Sequence, residues 1–91
     1  MKLKEENKHK AVLTTEHVLT KGSTVTYVVY DEDGDWQLFG DEEFDEDENP
    51  YVVSVEEILE MEPVLKKLPD MQPGQTAVRE AGSFRWTIME E

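Results

Sequence analysis

The sequence predicts an α+β fold, with a mostly antiparallel sheet of about five to six strands and one or two short helices packed on one face. Runs of β-branched and aromatic residues recur along the 91-residue chain and are separated by turn signals. Between these runs lie a segment that begins with a helix-capping motif and a segment that begins with proline. In both, the apolar residues have the spacing of a helix. Because the strands come in hairpin-like groups rather than alternating with helices, an antiparallel arrangement is favoured.

The clearest strand signal is Thr24 to Tyr30, in which five of seven residues are β-branched and the other two are aromatic. Asp35 to Gly40 supplies its hairpin partner, and Asp33-Gly34 between them is a preferred pair for a two-residue turn. This turn places Val29 opposite Leu38. One face of the hairpin would then carry Tyr27, Val29, Trp36 and Leu38, and the other would carry Val28, Tyr30 and Phe39.

Weaker signals complete the first half of the predicted fold. Ala11 to Thr14 reads as a strand, and Thr15 to Leu19 reads as one helical turn. Tyr51 to Ser54 resumes extended structure after Pro50.

Two helical segments and a second hairpin are predicted to follow. Ser54 and Glu57 have the spacing of a capping box, and Pro63 suits the first turn of a second helix. Thr76 to Glu80 and Phe84 to Met89 then form the hairpin, in which Phe84, Trp86 and Ile88 alternate.

Size and composition limit the class of protein. We expect a flexible N-terminal tail over residues 1–9 and a single α+β domain over residues 10–91, because the first nine residues are polar and aperiodic. The chain has no cysteine, which excludes disulfides and thiolate metal sites and favours the cytoplasm. We expect no secretory signal peptide, no membrane association and no cofactor.

The net charge is confined to the middle of the chain. Residues 22–65 carry fifteen acids and no base, whereas the remainder has seven acids and nine bases, so the charge of −13 divides into −15 and +2. Such a block repels nucleic acids and anionic membranes, and it attracts basic protein surfaces or cations. An acidic loop can equally be a solvated surface that keeps a small protein soluble.

Aromatic side chains interleave with these acids, which favours a binding face for a basic protein partner. The oligomeric state is not indicated by any pattern. The partner-binding residues predicted on this basis are Asp31, Glu32, Asp33, Asp35, Trp36, Asp41, Glu42, Glu43, Phe44 and Asp45.

Calcium binding is the alternative interpretation of the same acids. Asp31, Asp33, Asp35 and Glu42 match four ligand positions of an EF-hand loop. However, Trp36 occupies the position at which that loop requires glycine, and the preceding residues favour a strand rather than a helix. A carboxylate cluster of another kind stays open, but no metal ligands are assigned.

Catalysis is not expected. His9 and His17 are the only imidazoles, and no base is obviously placed beside a serine, so no catalytic residue is assigned. The cations in the C-terminal third, Lys66, Lys67, Arg79 and Arg85, are interpreted as internal counter-charges.

The hairpin YVVYDEDGDWQLF (residues 27–39), with VVSVEEILEMEPVLKKLPDMQPGQTAVRE (residues 52–80) and Trp86, resembles a group of small bacterial proteins of unknown function. It is also distantly similar to toxin-immunity-type domains. This resemblance implies a non-enzymatic bacterial domain with a small α+β fold, and it implies that Asp31 to Trp36 matters.

Overall fold

A six-stranded sheet forms the centre of the fold. The computed structural model describes residues 1–20, 24–40, 50–80 and 82–89. The strands are β1 (Ala11–Thr14), β2 (Tyr27–Tyr30), β3 (Trp36–Phe39), β4 (Tyr51–Ser54), β5 (Gln75–Val78) and β6 (Thr87–Met89), in the spatial order β4-β1-β3-β2-β5-β6. Among the strand pairs of the described residues only β1–β3 is parallel, so the predicted α+β fold with a mostly antiparallel sheet is confirmed.

In the described ranges, two short α-helices and two 3-10 helices accompany the sheet. They are α1 (Glu16–Thr20), α2 (Val55–Met61) and 3-10 turns at Leu3–Glu5 and Pro63–Lys67. None of the helices in the described ranges is long and apolar enough to cross a membrane.

The predicted capping box begins α2. Ser54 Oγ accepts the Glu57 N–H at 3.2 Å, and Glu57 Oε1 accepts the Ser54 N–H at 3.4 Å. This exchange satisfies amides that have no partner within the helix. Pro63 opens the following 3-10 helix, as its missing N–H allows.

The first hairpin is confirmed, but its predicted register is wrong by one residue. Tyr30 pairs with Trp36 and Val28 pairs with Leu38, so these four side chains share one face and are buried. The Asp31 N–H donates to Asp35 O at 2.9 Å, which leaves three residues in the loop rather than two. Because successive side chains point to opposite faces, this difference puts Val28 and Tyr30, instead of Tyr27 and Val29, on the face of Trp36 and Leu38.

The core lies between that face of the sheet and the helices. The sheet contributes Val12, Val28, Tyr30, Trp36, Leu38 and Ala77; the other elements contribute Leu3, Val18, Val55, Ile58, Leu65, Leu68 and Met71. The opposite face carries Tyr27 and Phe39, whose ring centroids lie 6.0 Å apart.

The N-terminal segment differs from the predicted flexible tail. Leu3 is fully buried in the core, and Trp36 Nε1 donates to Glu6 Oε2 at 3.2 Å. The Met1 amino group hydrogen-bonds to Met71 O at 2.8 Å and pairs with the Asp70 carboxylate, which holds the pKa of Asp70 below its usual range. These contacts attach the segment to residues that lie some seventy positions later in the chain.

Candidate functional site

The acidic turn, defined here as residues 31–35, joins β2 to β3 at one end of the sheet. Gly34 N–H donates to Asp31 O at 3.0 Å, and Gly34 has a φ of 85°. A reverse turn followed by a residue at positive φ is the usual geometry of a three-residue hairpin loop. The Asp31 carboxylate adds two bonds, because its Oδ1 accepts the N–H groups of Asp33 at 2.9 Å and Asp35 at 3.0 Å.

These bonds divide the predicted binding residues of the acidic turn into two kinds. Asp31 is half-buried and its carboxylate holds the backbone of the turn, so its main contact is internal. Glu32, Asp33 and Asp35 are exposed, and none of their carboxylates forms an ion pair within the described part of the chain. The acidic turn therefore presents three carboxylates on a hydrogen-bonded backbone.

Trp36 is not on a binding surface, and this part of the predicted site is corrected. Its side chain is fully buried and stacks on Tyr30, with ring centroids 4.2 Å apart and an interplanar angle of 11°. The reason is that the hairpin face with Trp36 and Leu38 packs inward, where the shifted register adds Val28 and Tyr30 to it.

Asp41, Glu42, Glu43, Phe44 and Asp45 lie outside the described residues, and their role stays a prediction. The described residues on either side of this segment, Gly40 and Pro50, follow β3 and precede β4. Both lie at the end of the sheet opposite the acidic turn, because β3 runs away from that turn and β4 runs towards it. The two groups of predicted binding residues, 31–35 and 41–45, are thus joined to opposite ends of β3, which lie about 10 Å apart.

The described residues give no support to a metal centre. No group of three or more His, Asp or Glu side chains among them is arranged to hold a metal ion. In the acidic turn, Asp31 Oδ1 already accepts two amides. His9 is exposed on the N-terminal segment and His17 lies on α1, so the two imidazoles belong to separate elements.

A second feature, which the sequence interpretation missed, lies at the other end of β5. Arg79 Nε donates to Val25 O at 2.9 Å, and Nη1 donates to Ser83 O at 2.8 Å. Nη2 donates to Thr24 Oγ1, and the guanidinium lies 5.4 Å from the centre of the Trp86 ring. Among the described residues, Arg79 is therefore bound to neutral oxygens and an aromatic face rather than to a carboxylate.

The other C-terminal cations are not counter-charges within the described part of the chain. Lys66, Lys67 and Arg85 are exposed, and the only ion pair found there joins Met1 to Asp70. Phe84 stands beside Arg85 with 71% of its surface exposed, although the predicted alternation placed it with the buried Trp86. β6 begins only at Thr87, so Phe84 lies before the strand and its side chain does not follow the strand's alternation of faces.

The acidic turn provides a first testable prediction. Replacing Gly34 by Ala should lower the free energy of unfolding by about 1–2 kcal/mol, because an L side chain is strained at positive φ. A Cβ at this position would meet no atom within 4 Å, so the cost would come from the backbone alone. Gly34→Asn should cost less, since Asn tolerates this conformation. Urea unfolding of both variants measures the difference, and equal costs would argue against this turn geometry.

Comparisons of this chain with protein-family models, with curated proteins and with solved structures found no match.

Proposed function

We propose that this chain is a non-enzymatic, cytoplasmic bacterial binding protein of immunity type, whose acidic turn engages a basic surface on a protein partner. The observation that carries the proposal is the arrangement of Glu32, Asp33 and Asp35. Their carboxylates are exposed on a backbone that Asp31 and Gly34 hold in place.

Preorganisation is the physical reason to prefer binding over simple solvation. An exposed charge on a flexible loop loses conformational freedom on binding, and this loss offsets much of its small electrostatic gain. Here the backbone hydrogen bonds already order the turn before any partner arrives. The acidic block adds a long-range field that raises the association rate with a basic surface.

The test begins with a partner captured on the immobilised chain, purified and measured again as a defined pair. We expect the association rate to fall at least about tenfold between roughly 50 mM and roughly 500 mM salt. The double variant E32Q/D35N should weaken binding about 3- to 10-fold, since each exposed pair is worth up to about 1 kcal/mol.

The matched control is E60Q/E80Q, which removes the same two charges from exposed positions on α2 and after β5. It should change the affinity less than about twofold, because it alters the net charge but not the acidic turn. If neither salt nor E32Q/D35N changed the binding of the partner, the proposal would be wrong. If both double variants lost the same affinity, the partner would be attracted by the net charge of the chain and not by a defined site.

A further inference from the structure

We infer that the surface around Phe84, at the end of the sheet opposite the acidic turn, is a second binding site, which takes an acidic peptide segment carrying an apolar side chain. This site differs from the one proposed above in position, charge and occupant. Its lining residues are Lys67, Pro69, Ser83, Phe84, Arg85 and Trp86.

The shape of the surface is the first argument. The six lining residues border a shallow, wide-open hollow of about 490 Å³. Phe84 also borders a second hollow of about 410 Å³, whose other lining residues are Thr24, Glu62, Pro63, Val64, Arg79 and Gly82. Phe84 is the most exposed large hydrophobic side chain in the described ranges, and it stands between two concave surfaces.

Rigidity is the second argument. The Arg79 guanidinium fixes the segment that carries Phe84, since it bonds Ser83 O on that segment and Val25 O on the segment before β2. Trp86 Nε1 donates to Val64 O at 3.1 Å, which ties the other side of the hollow to the second 3-10 helix. An exposed aromatic side chain on a fixed support is typical of a binding hot spot.

Charge complementarity identifies the occupant. Lys67 and Arg85 line the first hollow, no acidic residue lines it, and neither cation forms an ion pair in the described part of the chain. Carboxylates are the protein groups that complement two such cations, and arginine can bind one through two hydrogen bonds. At physiological salt the screening length is about 8 Å, so these local cations act at contact despite the acidic block.

The proposal can be tested with a synthetic peptide of alternating Asp and Glu with one central Phe, titrated against the full chain and followed by chemical-shift changes. We expect K67Q/R85Q to weaken binding at least about fivefold, because it removes both cations. Phe84→Ser should weaken it similarly by removing the apolar contact. A peptide with Ser in place of its Phe should bind wild-type protein more weakly as well.

Matched controls separate this site from general effects. K4Q/K8Q removes two exposed lysines from the N-terminal segment, and Val52→Ser removes an apolar side chain that is 63% exposed on β4. Both should leave peptide affinity within about twofold. The proposal would be overturned if control and test variants lost the same peptide affinity. It would also be overturned if a peptide with Lys in place of Asp and Glu bound as tightly as the acidic peptide. Concentration-dependent dimerisation abolished by Phe84→Ser would also overturn it, since the occupant would then be a second copy.

Discussion

Trp36→Ala should lower the free energy of unfolding by about 3–5 kcal/mol, which is the usual cost of truncating a buried aromatic side chain. The ring is fully buried, stacks on Tyr30 and donates a hydrogen bond to Glu6, so three interactions are lost at once. Since domains of this size are stable by about 5–15 kcal/mol, the variant should lose much of its stability. Urea unfolding monitored by circular dichroism measures the change.

Phe84→Ala is the matched aromatic truncation, at a position that is 71% exposed, and it should change stability by less than about 0.5 kcal/mol. A loss below about 1 kcal/mol for Trp36→Ala would contradict its place in the core. That result would favour the predicted binding surface, in which Trp36 lies exposed beside the acids.

Leu3→Ala is expected to lower the free energy of unfolding by about 2–5 kcal/mol, because it leaves a cavity at a fully buried position. A flexible tail would give a change near zero at the same position. Lys4→Ala, at the exposed neighbouring residue, serves as the control and should stay within about 0.5 kcal/mol. Equal and negligible effects from both substitutions would support the flexible tail that the sequence pattern suggested.

Local patterns predicted the elements better than they predicted contacts between elements. The β1 boundaries, the capping box at Ser54 and the Pro63 start all depend on a few neighbouring residues, and the structure confirms them. The turn that carries Leu3 packs against α2 and the second 3-10 helix, far away in sequence, and one leucine among polar residues carries no periodic signal. Tertiary packing decided its position.

The hairpin register shows that knowing where a turn lies does not determine which side chains share a face of the sheet. The sequence Asp-Glu-Asp-Gly-Asp allows a two-residue loop on Asp33-Gly34 or a three-residue loop that ends at Gly34. Both faces of the hairpin carry apolar side chains, so hydrophobic alternation does not choose between them. The structure has the longer loop, in which the Asp31 carboxylate accepts the amides of Asp33 and Asp35.

The candidate surfaces were predictable in charge but not in shape. Composition alone indicated that Glu32, Asp33 and Asp35 would be exposed, as they are. The exposure of Phe84 could not be foreseen, because it follows from where β6 begins and from the Arg79 bonds to Val25 and Ser83. The bond to Val25 joins residues 54 positions apart, which no local pattern encodes.

The parallel pairing of β1 constrains the order in which the sheet assembles. Within the described sheet, β4 has β1 as its only neighbour, and β1 lies between β4 and β3. The antiparallel strands β3, β2, β5 and β6 can pair without either of them, whereas β4 is joined to the rest of the sheet through β1, either after β1 or together with it. A fluctuation that withdraws the N-terminal strand therefore releases β4 as well, and the two strands open as one cooperative unit in hydrogen exchange.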